Sequence, residues 1–243
     1  MGFNDASINY FYSSDHIKGD DLEFVREYFK NREFEKLLDV ASAAGHFAKV
    51  FNAEEKIITD ISLNMLKTAK DKNGFDKLVA VSACRLPFKN GVFDIAGCRI
   101  ALHHFKKPRE FFFEVNRVLK RSGYFVLIDS IVDKDDKYLN KIERIRDNTH
   151  IKSYTIKEIV NFSYMFRLLT FHTIFKKHDF VEWANRLNPT QEEFREVEKA
   201  FLDLSEDEKR QLRVEIKKGR VVSYTDKKGI FIFKKIEKEG GLK

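Results

Sequence analysis

The chain reads as an α/β protein: a mostly parallel seven-stranded sheet, its last strand antiparallel, flanked by helices. Three observations predict this. Between Phe34 and Val132, short β-branched runs alternate with helix-period segments, the pattern of repeated βαβ units. Those runs are almost continuously apolar, as strands covered on both faces are. After a polar, helix-prone stretch, the chain closes on two further β-rich runs around a polar turn, the pattern of a hairpin.

Taken in order, Asp20–Phe29 reads as a helix with Asp20 or Asp21 as its N-cap, covering one sheet edge. Lys36–Ala41, Lys56–Asp60, Leu78–Ala83, Phe93–Ile100 and Tyr124–Val132 are the core strands. Helices between them are expected at Leu63–Asp71 and Pro108–Leu119, where apolar residues recur at three- and four-residue spacing. The second meets Lys120, Arg121 and Gly123, the signature of a helix C-terminus. Beyond Val132, Lys134–Arg146 is charged and helical, Thr155–Met165 opens with a capping box, and Leu168–Phe175 resembles a strand. Phe180–Lys217 contains the turn and helix start Asn188-Pro189-Thr190 and reads as a helical insertion. Val221–Tyr224 and Gly229–Ile236 then flank Thr225–Lys228 as the closing hairpin. One domain over residues 1–243 is expected: an N-terminal helical cover (1–34), a core (35–132) and a C-terminal half (133–243) with its insertion at about 180–217.

Composition narrows the function classes. A hydrophobic share of 43% with 34% charged residues is that of an ordinary folded protein. No apolar run reaches the roughly 20 residues that span a bilayer, and the N-terminus, with Asn4, Asp5 and Asp15, lacks a signal peptide's basic and apolar regions. A cytoplasmic protein is expected. Cys84 and Cys98 each lie in an apolar segment, as buried thiols do, rather than in a disulfide or metal-ligand spacing. The net charge is +7, yet the 45 basic and 38 acidic residues are interspersed, which argues against a nucleic-acid surface.

The first strand runs into Asp39-Val40-Ala41-Ser42-Ala43-Ala44-Gly45-His46, a small-residue turn opening a helix over His46–Phe51. Small residues let backbone N–H groups approach a ligand. The second strand ends at Asp60, 21 positions after Asp39, where two carboxylate oxygens can accept both hydroxyls of a ribose. Either feature alone is an ordinary connection with an acidic helix cap; together they imply an adenosine cofactor. A dinucleotide dehydrogenase would carry G-x-G-x-x-G here, and Gly45 is the turn's single glycine.

Leu38-Asp39-Val40-Ala41 through Gly45-His46-Phe47 resembles the first motif, D-x-G-x-G-x-G, of class I S-adenosylmethionine-dependent methyltransferases. Thr59-Asp60-Ile61-Ser62 with Met65-Leu66 is similar to that family's D-x-S-x-x-M-L, and Leu86-Pro87-Phe88 with Phe93-Asp94 to its L-P-F…F-D stretch. Cys98–Phe105 follows in register, and Arg117-Val118-Leu119-Lys120 with Gly123 resembles R-V-L-K-P-G-G. The likeness covers roughly residues 35–130 and is nearest to the ubiquinone/menaquinone biosynthesis methyltransferase-like subgroup.

The resemblance implies a Rossmann-like fold and the cofactor S-adenosylmethionine, leaving S-adenosylhomocysteine. It implies that Asp39 holds the first loop, that Ala41, Ala43 and Gly45 floor the methionine moiety, and that Asp60 holds the ribose. Ile61 and Met65 would pack on the adenine, Ser82 and the Ala83 backbone would meet its edge, and Arg99 belongs to the same cofactor set. Ser82 replaces a usual acidic residue, a weaker hydrogen-bond acceptor than a carboxylate. Ala41 and Ala43 add methyl groups where the family often has glycine.

Methyl transfer needs alignment, exclusion of water and often a base for the acceptor's proton. His104, then His103, are the candidates, at the carboxyl edge after the fourth strand, one expected to pack and the other to face the pocket. A structural role capping the loop is an equally good reading of each. The resemblance extends weakly to Arg146-Asp147 with His150 and to Phe180, Trp183 and Arg186; of these, Arg146, His150, Phe180 and Trp183 are the candidate substrate residues. No metal site is expected. Tyr10, Phe11 and Tyr12, before Ser13 and Ser14, could close over a sulfonium-like cation, though ordinary packing is the expectation. The function expected is methyl transfer to a small aromatic, quinone-like or otherwise apolar acceptor, with Phe180 and Trp183 closing its pocket. The alternatives are an RNA methyltransferase, which lacks support from any Asn-Pro-Pro-Tyr motif, and a non-catalytic ligand-binding protein of the same fold.

Overall fold

A computed structural model describes residues 7–12, 19–133 and 136–236; Ser13, Ser14, Lys134 and the side chain of Tyr10 lie outside what is described. Helices α1 (Ser7–Tyr12) and α2 (Asp20–Phe29) precede β1 (Phe34–Val40), β2 (Ala53–Asp60), α3 (Leu63–Asn73), β3 (Leu78–Ala80), β4 (Phe93–Arg99), α4 (Pro108–Val118) and β5 (Leu119–Ile131). There follow α5 (Tyr138–Arg146), α6 (Ile156–Phe162), β6 (Phe166–Asp179), α7 (Phe180–Asn185), α8 (Gln191–Leu202), α9 (Glu206–Gln211), β7 (Glu215–Lys217) and β8 (Arg220–Lys235).

The sheet order is β3-β2-β1-β4-β5-β8-β6, with short β7 added on β8, giving eight strands instead of seven. Strands β1 to β5 pair in parallel, whereas β8 is antiparallel to both β5 and β6. Apolar residues from α2, α3 and one sheet face, among them Val25, Phe29, Leu37 and Leu66, form one core layer. Phe111, Phe112, Val115 and Ile159 close the opposite face. A third cluster, including Phe180, Trp183, Phe201 and Tyr224, lies beneath the insertion. Among the described residues, no helix is long and apolar enough to cross a membrane.

Several local expectations are corrected. Gly19, not Asp20 or Asp21, is the N-cap of α2, because Asp21 turns inward to an ion pair with Arg99 at 2.6 Å. Residues 119–123 open β5 instead of ending a helix, and a register irregularity between Phe93 and Ile95 absorbs them. The helix expected at His46–Phe51 is a single 3-10 turn, Phe47–Val50. The closing hairpin is not at Thr225–Lys228: β8 is continuous there, and its ladder to β5 and β6 holds these polar residues mid-strand. The turn lies earlier, at Lys218 and Gly219, both with positive φ (49° and 75°), leading from β7 to β8. The capping boxes at Thr155 with Glu158 and at Thr190 with Glu193 start α6 and α8.

Candidate active site

Strand order reverses between β1 and β4, the place where open α/β sheets bind ligands at their carboxyl edge. A cavity opens there. Asp39, Ala41, Ala43, Asp60, Ile61, Met65 and Arg99 all line it, so seven of the ten expected cofactor residues converge. Gly45 shapes the turn from behind, at φ 80°, where an added Cβ would lie 2.5 Å from the Phe75 ring. Ser82 and Ala83 do not line the cavity: Ser82 is exposed and accepts a hydrogen bond from the Cys84 N–H (3.3 Å), while Ala83 packs in the core. Strand β3 ends at Ala80, so the chain turns before either reaches the cavity.

The loop after β1 takes a left-handed backbone at alternate positions, Ala41 (φ 52°), Ala43 (φ 49°) and Gly45 (φ 80°). The two alanines thus hold a conformation that glycine adopts freely and that costs an L-residue about 1–2 kcal/mol. Ala43 is held by its N–H, which donates to Asp60 Oδ2 at 2.9 Å. Ala43→Gly is therefore expected to raise the thermal midpoint by about 2–4 °C, relief of strain exceeding the gain in unfolded-state entropy. Thermal unfolding checks this; a lowered midpoint would contradict strain at this position.

Asp39 is 1% exposed. Its Oδ2 accepts the Ala48 N–H at 3.1 Å, and its Oδ1 has no hydrogen-bond partner among the described residues. Burial pushes its pKa up to about 8. A cationic ligand group in the cavity would satisfy this oxygen. Asp60 accepts the Ser62 N–H on Oδ1 at 2.8 Å as well as the Ala43 N–H on Oδ2. Burial raises its pKa too, against those backbone bonds. A carboxylate has about four lone-pair positions, so capacity for two hydroxyls remains. Ile61 is 74% exposed beside buried Met65, an open apolar face suited to a flat base. From α1, the Phe11 ring packs 5.0 Å from that of His46, whose Nε2 is 3.1 Å from the Phe11 carbonyl; Tyr12 points to solvent, 62% exposed. The residues present fit an adenosine that bears an amino-acid group.

Beyond β4, a 3-10 turn over Leu102–His104 carries the paired histidines. His104 and Ile100 line both the first cavity and a second one adjoining it. Ile100 has φ 54°, an outlier for a β-branched side chain of the kind that clusters at functional sites. His104 Nδ1 lies 3.2 Å from both the carbonyl oxygen and the Oγ1 of Thr149. That hydroxyl donates to Asp147 Oδ1 at 2.6 Å, so both threonine oxygens accept, Nδ1 carries the proton and Nε2 the lone pair. Burial and the neighbouring His103 hold the His104 pKa down to about 3.

His103 also lines the second cavity, so the expected division into one packed and one facing histidine is not observed. Its Nδ1 is 2.6 Å from Asp129 Oδ1, and its N–H donates to Asp129 Oδ2 at 3.2 Å. Burial pushes its pKa down, but the Asp129 carboxylate more than offsets this and the net shift is upward. Asp129 is held below the carboxylate range by the same pair, against its own burial. The His150 ring lies 5.3 Å from that of His103, its Nε2 is 2.9 Å from Asn140 Oδ1, and burial lowers its pKa to about 4.

The second cavity is polar, lined by Arg146, Arg186, Lys228, Glu143, Asp226, His178 and Ser130 as well as these histidines. It differs from the apolar pocket expected. Arg146 binds Glu143 Oε2 at 3.0 Å and lies 4.3 Å over the Trp183 ring. Of the expected substrate residues, Arg146, His150 and Trp183 line this cavity, whereas Phe180 is fully buried against Phe194 and Phe201 in the core of the insertion. The weak family resemblance that suggests Phe180 does not fix the direction of its ring, which the core of the insertion takes up. Asp129, Ser130, Asp226 and Lys228 escaped the sequence reading, although each is a polar residue in or beside an apolar strand run, which is the signal that marks them.

Residues 38–127 match the family described as "Methyltransferase domain". The chain is 32% identical over 151 residues to YcgJ, an uncharacterised methyltransferase of Bacillus subtilis (strain 168), covering 58% of this chain and 60% of that protein. It is 30% identical over 112 residues to the demethylmenaquinone methyltransferase of Thermotoga maritima, covering 44% of this chain and 49% of that protein. The matched stretch thus spans less than two thirds of these curated relatives' length. A solved structure of a methyltransferase candidate from Bacillus halodurans C-125 superposes with a TM-score of 0.84 at 27% identity, covering 90% of this chain and all of that one (100%).

Proposed function

We propose that this chain, a class I methyltransferase in family and fold, binds S-adenosylmethionine in the first cavity and methylates a small molecule held in the second. One observation carries the reading: the cavity built by the cofactor-type loop and the cavity that His103 lines share a wall, His104 and Ile100. A methyl donor in one and an acceptor in the other would meet there.

S-adenosylmethionine would supply an electrophilic methyl group on a sulfonium centre. Asp60 would accept the ribose hydroxyls, Asp39 Oδ1 would face the ligand's cationic part, and Ile61 with Met65 would cover the base. His103, oriented and made more basic by Asp129, is the group in the second cavity suited to take the acceptor's proton on Nε2. His104, kept neutral, would line the path of transfer. Proton removal requires neutral His103, so turnover should rise with pH through a value above 6.5, the ordinary histidine pKa.

Label transfer tests the reading. Incubation with methyl-labelled S-adenosylmethionine, a small-molecule cell extract and purified RNA is expected to place label in the small-molecule fraction. Label in RNA would replace the proposed acceptor class, and cofactor binding with no label in either fraction would favour a non-catalytic role.

A further inference from the structure

We propose that the acceptor carries a compact anionic group, a carboxylate or a phosphate, and that Lys228 binds it; this rests on the reading of the second cavity as the acceptor site. Lys228 lies on β8, in register with Ser130 of β5 and Ile174 of β6. It is 3% exposed and lines the polar cavity. Its ammonium opens on that cavity, and among the described residues no hydrogen bond or ion pair holds it.

The nearby carboxylates are already engaged. Asp226 Oδ1 is 2.9 Å from His178 Nε2, and its Oδ2 accepts the Ser130 hydroxyl at 3.0 Å. Asp21 is held by Arg99 at 2.6 Å, and Glu143 by Arg146 at 3.0 Å. The charge of Lys228 acts on Asp21 and Asp226 without bonding either. Arg186, 8% exposed, lines the same cavity, and a guanidinium fork suits the oxygens of a carboxylate or phosphate. These bonds leave Lys228 as a cation in the cavity wall, and an entering anion would satisfy an ammonium that no described residue matches.

Thermal unfolding of the full chain in acetate or inorganic phosphate, with ionic strength matched by sodium chloride, tests this without any methyl transfer. The wild type is expected to gain about 2–4 °C at saturating anion over the chloride control. A response to acetate assigns a carboxylate, and a response to phosphate a phosphoryl group. Lys228→Met should have a higher midpoint without anion and show no anion response; Lys228→Gln serves the same purpose if the methionine variant does not fold. No anion response in the wild type, or an equal one in the variants, would overturn the proposal. Titration with S-adenosylhomocysteine separates the two readings: failed binding with a Lys228-dependent anion response removes the methyltransferase reading alone, and the reverse removes the anion site alone.

Discussion

Asp60→Ala is expected to weaken S-adenosylhomocysteine binding by about 100- to 20,000-fold. A carboxylate accepting two ribose hydroxyls makes charge-assisted hydrogen bonds, each contributing about 1.5–3 kcal/mol, and each 1.4 kcal/mol is tenfold in affinity. The same carboxylate accepts the N–H groups of Ala43 and Ser62, so its removal also releases the loop in its left-handed conformation. Asp60→Asn, which keeps one acceptor oxygen, should lie between. Calorimetric titration of both variants measures this directly. Unchanged affinity in Asp60→Ala would mean that the ribose is held elsewhere or that the ligand is not a nucleoside.

Asp129→Asn is expected to lower kcat by about 100- to 1,000-fold, within the range that a positioned general base contributes, while leaving S-adenosylhomocysteine affinity unchanged. The pH profile distinguishes this role from a structural one. In the wild type the carboxylate, against burial, lifts the His103 pKa above 6.5, and activity rises with pH through that raised value. Without the carboxylate, burial prevails, the pKa falls, and the rise moves to lower pH although the plateau is much lower. A fall in kcat with no movement of the profile, or an accompanying loss of cofactor affinity, would assign Asp129 to support of the fold instead.

The parallel half of the sheet was legible because each strand there is buried on both faces and reads as an unbroken apolar run: Leu37, Leu38 and Val40 of β1, and Ile95, Ala96 and Cys98 of β4, are all at most 1% exposed. The cofactor-type loop was legible for a related reason, since Asp39 and Asp60 mark the carboxyl ends of adjacent parallel strands, and Asp39 pairs with Ile58 two residues before Asp60. In strand β8 the sequence pattern points the wrong way where it matters most. Asp226 and Lys228 interrupt its apolar pattern as a turn would, yet they are 4% and 3% exposed mid-strand residues that line the polar cavity.

The second cavity had no local spacing to find. It draws Ser130 from β5, Glu143 and Arg146 from α5, His178 from β6 and Lys228 from β8, residues brought together only once the antiparallel strand is in place. Ser82 shows the opposite limit: a position transferred by motif alignment follows the sequence, but the short β3 turns it out to solvent.

The most direct test of the central claim, that the β1–β2–β4 cavity is an S-adenosylmethionine site, is calorimetric titration of the purified chain with S-adenosylmethionine and S-adenosylhomocysteine, with NAD as control. Saturable binding of the first two in about the micromolar range, and none of NAD, is the predicted result. Binding of NAD, or of neither methyl-cycle ligand, would contradict it.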